Sequence, residues 1–217
     1  MTFGVGINNA GYPIKDCLFF RTWKKKNMLK RCYSGSGASY HKAHPTYKGC
    51  SVSEEWLTFS VFREWMLEQD WHDKCLDKDL LLLGNKVYSP STCCFISQRV
   101  NKFLSGEKTS GSGLPVGVSV DTKTGKYRAQ IRNLEGVQTF LGLYTSVEQA
   151  NRAYLTSKHH IACELSLSED NPLVKHSLAH RYTPIGHAYA CTSHDSVWLY
   201  TYTIDNTNTS RLHHQRC

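Results

Sequence analysis

The sequence predicts an α+β protein in which a strand, loop, strand and helix unit with flanking helices is linked to a three-stranded antiparallel sheet packed on one helix. Three observations lead there. The ten residues from Ser105 to Leu114 read S-G-E-K-T-S-G-S-G-L, the composition of a flexible linker. Ahead of it, helical stripes alternate with short apolar runs. Behind it, three runs of period two precede a long capped segment of helical period. At 217 residues the chain suffices for two small domains, each with a modest core. The expected organisation is a basic arm and folded unit over 1–104, the linker over 105–114, a sheet-and-helix module over 115–165, and a short helix with a poorly ordered tail over 166–217.

Leu18 to Tyr33 spaces Phe19, Trp23, Met28 and Cys32 among Lys24, Lys25, Lys26, Lys30 and Arg31, which predicts a helix with a basic outer face, ended by S-G-S-G-A-S at Ser34 to Ser39. A charge run is usually a solvated face, but no acid lies within this helix, which favours phosphate contact. Ser53 to Trp71 opens with a cap-like serine and two glutamates, then carries Trp56, Phe59, Phe62, Trp65 and Met66 on one broad stripe. That stripe is assigned to core rather than to base stacking. Cys75 to Leu104 parses as a strand ending near Leu82, a turn at Gly84 and Asn85, an irregular passage through Tyr88 to Pro90, a strand over Cys93 to Ile96 and a helix from Gln98.

Past the linker, strands are expected at Val116 to Val120, Lys126 to Arg132 and Gln138 to Leu141, joined by D-T-K-T-G and by a turn over Asn133 to Gly136. Ser146 to about Leu165 follows with a capping pattern and with Val147, Ala150, Ala153, Tyr154 and Ile161 on one side, fit to cover one sheet face. The other face stays open. In the middle strand Tyr127, Ala129 and Ile131 point to the core, so Lys126, Arg128, Gln130 and Arg132 point outward. An open face is ordinarily polar; what marks this one is its sign, with Lys123 at the turn as a fourth cation. Asn171 to Tyr182 reads as a short helix, and Thr183 to Cys217 lacks a clean period.

The formal charge of +8 resides in residues 1–50, which alone carry +8, while 51–110 carry −2, 111–165 carry +2 and the rest balance. A basic arm beside near-neutral modules suits a polyanion, and double-stranded DNA is the expected partner. No segment approaches the roughly 20 apolar residues of a membrane span, and the first residues lack an apolar signal core, so a cytosolic location is expected. Nine cysteines form no C-x-x-C pair and no spaced framework. They read as small buried or free thiols, with Cys17, Cys32, Cys50 and Cys75 as the set able to include metal ligands; structural zinc is not expected.

Four stretches in order, V-G-V at Val116 to Val118, G-K-Y-R-A-Q-I-R at Gly125 to Arg132, F-L-G-L-Y-T at Phe140 to Thr145 and E-Q-A-N-R-A-Y at Glu148 to Tyr154, resemble the plant Apetala-two/ethylene-response-factor DNA-binding domain, also found in mobile and phage endonucleases. The resemblance implies that the sheet enters the major groove, with Ser119, Lys126, Arg128, Gln130, Arg132, Gln138 and Phe140 touching bases or phosphates. Several cationic and tryptophan positions of the plant pattern are absent from the first and third strands. Tyr47 to Leu104, with L-D-K-D at Leu76 to Asp79, G-N-K at Gly84 to Lys86 and Y-S-P-x-x-C at Tyr88 to Cys93, is similar to HNH homing endonucleases of a type common in phages. That resemblance implies a divalent cation, Mg²⁺ or Mn²⁺, held by Asp77, Asp79 and Asn101, with Lys78 at the position of the general base and Asn85 or Cys93 in the central asparagine region.

Lysine is an awkward base. It ordinarily titrates at roughly 10.4 against roughly 6.5 for histidine, and neighbouring carboxylates favour its charged form. Either burial and a cation overcome this, or Asp79 serves as ligand or base while Lys78 grips the phosphate, or Asp77, Lys78 and Asp79 are an ion cluster in a former nuclease. His72 reads as a solvated loop residue. Two functions therefore compete: a hinge-tethered, metal-dependent DNA endonuclease, and a non-catalytic DNA-binding protein with a degenerate nuclease unit. RNA binding ranks third, for want of aromatic-rich sheet faces. The arm residues Lys24, Lys25, Lys26, Lys30 and Arg31 are expected to hold flanking phosphate.

Overall fold

Aromatic side chains need to leave water, and in the first half of the chain they do so against one another. Trp23, Trp56, Phe59 and Phe62 are fully buried, with Phe20 edge-on to Phe59 at 5.1 Å and Trp56 edge-on to Phe62 at 5.2 Å between ring centroids. The Trp23 indole donates to the Trp56 carbonyl at 2.7 Å, so its one polar atom is satisfied inside the core. This is seen in a computed structural model that describes residues 1–26, 28–34, 37–105, 112–183, 190–193, 196–204 and 210–216, without the side chains of residues 25, 26, 37–39 and those after 183. The fold is α+β, and the chain divides into two units, Met1–Leu104 and Ser105–Cys217. The linker expected over 105–114 falls mostly outside the described residues.

In the first unit a short helix α1 (Leu18–Phe20) passes through a π-helical turn at Arg21–Lys26, and α2 (Met28–Tyr33) follows. The sequence predicts one regular helix here. Trp23 and Met28 lie five residues apart, which a regular helix places on different sides; the wider i to i+5 turn brings both into the core. The glycine-serine run does not simply end the helix either, because α3 (Gly37–Ala43) starts inside it. Strand β1 (Ser51–Val52) precedes a 3-10 turn at Glu54–Leu57 and α4 (Phe59–Leu67), so the expected helix from Ser53 is broken at Thr58. Ser53 makes no side-chain cap, yet the apolar stripe is core: Trp56, Phe59, Phe62 and Met66 are buried and Trp65 packs on them.

The remainder of this unit is β2 (Cys75–Asp77), β3 (Val87–Tyr88), β4 (Cys94–Ile96) and α5 (Gln98–Ser105). Strand β2 pairs antiparallel with β4, setting Asp77 opposite Cys94, and β3 pairs parallel with β1. The first strand stops at Asp77 rather than near Leu82, because the Asp77 side chain turns the chain at once, as described below.

The second unit holds β5 (Val118–Val120), β6 (Tyr127–Arg132) and β7 (Gln138–Tyr144) as an antiparallel sheet in that order, followed by α6 (Val147–Leu167). Ser146 caps α6 by accepting from the Gln149 N–H at 3.2 Å. Val118, Ala129 and Ala150 are buried between sheet and helix, with Tyr127, Leu141, Tyr144 and Ala153 packed around them. Gly117 fits only as glycine: φ is +78° and a Cβ would lie 2.1 Å from the Tyr154 ring and 2.8 Å from the Gln130 carbonyl. β7 runs past Leu141 to Tyr144, through a bulge opposite Ala129 and Gln130 and a positive φ at Gly142. Helix α7 (Pro172–His180), capped by Asn171, packs on the later turns of α6. That packing buries Lys158 and His159.

Where a poorly ordered tail is expected, the backbone forms β8 (Ala190–Ser193), β9 (Ser196–Ile204) and β10 (Ser210–Arg216), a second antiparallel three-stranded sheet. Its signal was composition: S-V-W-L-Y-T-Y-T-I is dense in β-branched and aromatic residues.

Candidate nucleic-acid interface and the Asp77–Asn85 loop

The register of the β5–β6–β7 sheet builds its open face row by row. Ser119 stands opposite Arg128, which stands opposite Leu143; Gln130 faces Phe140; Arg132 faces Gln138. Arg128, Arg132, Gln138 and Phe140 are exposed, Phe140 at 59%. The alternate residues Ala129 and Ile131 are buried. Lys123 and Lys126 are exposed in and just after the turn that leads into β6. A scaffold buried on one side therefore presents a cationic, amide-bearing and aromatic row on the other. A groove of about 570 Å³ lined by Leu141, Tyr144, Gln149, Arg152, Ala153, Thr156 and Ser157 lies where β7 meets α6.

One acid was missed. Asp121, directly after β5, accepts from Arg128 Nη2 at 2.6 Å and from the Thr124 hydroxyl at 2.7 Å. The Thr124 hydroxyl and the Arg128 guanidinium hold its carboxyl below the usual carboxylate range. Arg128 also lies over the Phe140 ring, 5.8 Å from its centroid. Arg128 is thus tethered, and Lys126 lies directly across from Asp121, whose N–H donates to the Lys126 carbonyl at 2.8 Å, while Arg132 stands further along the face. The signal was available in D-T-K-T-G, where Asp and Thr three residues apart form a side-chain-bonded turn.

The arm residues part company. Lys30 is exposed and sits over the Tyr40 ring, and Lys24 sits over Phe20, each 5.5 Å from the ring centroid. Arg31 is not on an outer basic face: it donates to the Tyr88 hydroxyl at 3.2 Å and covers the Tyr47 ring at 4.8 Å. Burial pushes the Tyr88 phenol well up, so it stays protonated. The side chains of Lys25 and Lys26 lie outside the described residues.

The Asp77–Asn85 loop gathers four of the sequence-selected residues and spends them on itself. Asp77 Oδ1 accepts the backbone N–H groups of Asp79 at 2.9 Å and Leu80 at 2.7 Å, which is why β2 ends there. Lys78 is buried, 4% exposed, and donates to Asp79 Oδ1 at 2.6 Å and to the Asn85 carbonyl at 2.7 Å. Asn85, also buried, donates to the carbonyls of Lys78 at 2.8 Å and Val87 at 2.7 Å and accepts from the Val87 N–H at 3.0 Å. Asn101 is half-buried on α5, its N–H bonded to the Ser97 carbonyl at 2.9 Å. Cys93 is buried, and burial pushes its thiol up to about 12. His72 is exposed and stacked on Trp71 at 3.8 Å between ring centroids.

Both partners of Lys78 are acceptors, so its nitrogen is engaged as a donor and not as a proton acceptor. The donor set does not fit a divalent ion as placed: an ammonium already contacts Asp79 Oδ1, and two amides hold Asp77 Oδ1. Among the described residues, no three His, Cys, Asp or Glu side chains are grouped to hold a metal. Cys17, Cys32, Cys50, Cys75 and Cys93 are free thiols. No helix among the described residues is long and apolar enough to cross a membrane.

Compared with known proteins, the chain matches no family model, no curated protein and no solved structure. The likenesses to the Apetala-two/ethylene-response-factor domain and to HNH endonucleases rest on their motifs alone.

Proposed function

We propose that the protein binds double-stranded DNA through the open face of the β5–β6–β7 sheet and does not cleave it with the Asp77–Asn85 loop. The observation that carries this is the register: Arg128, Gln130 and Arg132 share one uncovered face with Ser119, Gln138 and Phe140 while α6 covers the other. Guanidinium and amide groups on a rigid strand suit both phosphates and the base edges of a major groove, which admits a small sheet or ribbon. Lys126, Lys123 and Lys30 add phosphate attraction without choosing sequence. A DNA partner and the free thiols accord with a cytosolic location, the host's if the chain is phage-encoded.

The test is duplex DNA titrated by fluorescence anisotropy across a salt series. With Asp121 offsetting Arg128, the remaining cations Lys30, Lys123, Lys126 and Arg132 give a log–log slope of roughly −3.6. Affinity that ignores salt, or that single-stranded RNA competes away first, would overturn the proposal. The strand, loop, strand and helix order of residues 75–105 favours a second reading, metal-dependent strand cleavage. Supercoiled plasmid with Mg²⁺ or Mn²⁺ separates the two: it stays supercoiled under the first and becomes nicked or linear under the second.

A further inference from the structure

The buried ammonium of Lys78 is the feature that DNA binding by the sheet leaves unused. Its nitrogen sits between a carboxylate oxygen of Asp79 and the main-chain carbonyl of Asn85, at 2.6 and 2.7 Å, with the Tyr88 ring 5.9 Å away. Anionic and carbonyl oxygens are the hard donors that a magnesium, manganese or calcium ion selects. An ion held by these two oxygens would lie within contact distance of the ammonium, so the two cations exclude each other. The rest of the loop is closed around this arrangement, since Asn85 binds the Lys78 carbonyl and both polar main-chain groups of Val87.

We propose that Lys78 is a built-in counter-cation that takes the place of a divalent ion between Asp79 and the Asn85 carbonyl, making the Asp77–Asn85 loop independent of metal and covering a latent metal site. This inference does not rest on DNA binding by the sheet. Lys78→Ala removes the cation and opens space, whereas Lys78→Met removes the charge but keeps the bulk. The full chain and both variants are to be melted with and without Mn²⁺ at millimolar concentration, and titrated with Tb³⁺ while exciting the aromatic residues, with Tyr88 as the near sensitiser.

The wild-type melting temperature is expected to be unmoved by Mn²⁺. Lys78→Ala is expected to melt several degrees lower, to recover in Mn²⁺ and to gain sensitised Tb³⁺ emission that Mn²⁺ competes away; Lys78→Met is expected to melt lower without recovery. Lys78→Ala that folds but gains neither recovery nor emission overturns the proposal. Should Lys78→Ala fail to fold, wild type and Asp79→Asn decide. Stabilisation of wild type by Mn²⁺ that Asp79→Asn abolishes would show a metal already at this carboxylate and overturn the proposal. A metal-independent melt in wild type, with Asp79→Asn lowered equally with and without Mn²⁺, supports it.

Discussion

The open sheet face and the Asp77–Asn85 loop both set basic side chains beside aspartate, and they use them in opposite directions. On the sheet, Arg128 is tied to Asp121 yet its side chain keeps 44% exposure, and Arg132 is exposed. In the loop, Lys78 retains 5% side-chain exposure and its bonds hold the backbone together. The difference teaches that a cation next to a carboxylate has no fixed meaning. A flat strand supported from behind leaves it for a partner, and a tight turn uses it up internally.

The largest effect should come from removing the support behind the sheet. Gly117→Ala forces a Cβ into Tyr154 at a positive φ and is expected to destabilise the second unit by about 4 kcal/mol, as overpacking and backbone strain combine. Denaturant unfolding should show it, with DNA affinity lost at the same time; intact affinity would separate the face from its scaffold. Next, Asn85→Ala removes three hydrogen bonds from a buried loop and is expected to cost about 3 kcal/mol in the first unit without changing DNA affinity. A drop in affinity there would break the contrast and give the loop a share in binding.

On the face itself, Arg132→Ala is expected to weaken duplex binding by about 2 kcal/mol if the guanidinium reads a base edge, with the loss concentrated on preferred sequences. Lys126→Ala should lower affinity evenly over all sequences and flatten the salt slope by roughly 0.9. The smallest effect concerns pH. Because Asp121 is held below the ordinary carboxylate range, its tie to Arg128 is fully present above the unfolded carboxylate value and is lost only as pH falls through the lower folded value. Carboxyl carbon shifts of Asp121 should therefore stay flat through neutral and mildly acidic pH, and a titration in the ordinary range would show that the tether is not formed.

Much of the fold was legible where one period ran long enough. The three strands, the Ser146 cap and the Trp56 to Met66 stripe each repeat their pattern over several residues, so side-chain direction follows from spacing alone. Other features depended on partners far away in sequence. Arg31 looked like one cation among five until Tyr47 and Tyr88 drew it inward, and the irregular turn at Arg21–Lys26 answers to the position of Trp56. The sequence brought Asp77, Lys78, Asp79 and Asn85 to notice as a group. It could not say that their bonds would run to main-chain atoms of the same loop.

The bulge in β7 decides more than a local kink. Stepping by twos from Gln138 reaches Phe140, then Gly142 and Tyr144, yet Tyr144 packs toward the helix and Leu143 stands opposite Arg128. One surplus residue inverts the odd–even rule midway, so the two halves of β7 share a surface only because their counting is out of phase. Deleting Leu141 would remove the bulge and restore simple alternation with Gln138, Phe140 and Leu143 still on the open side, at the cost of the core contact that Leu141 makes.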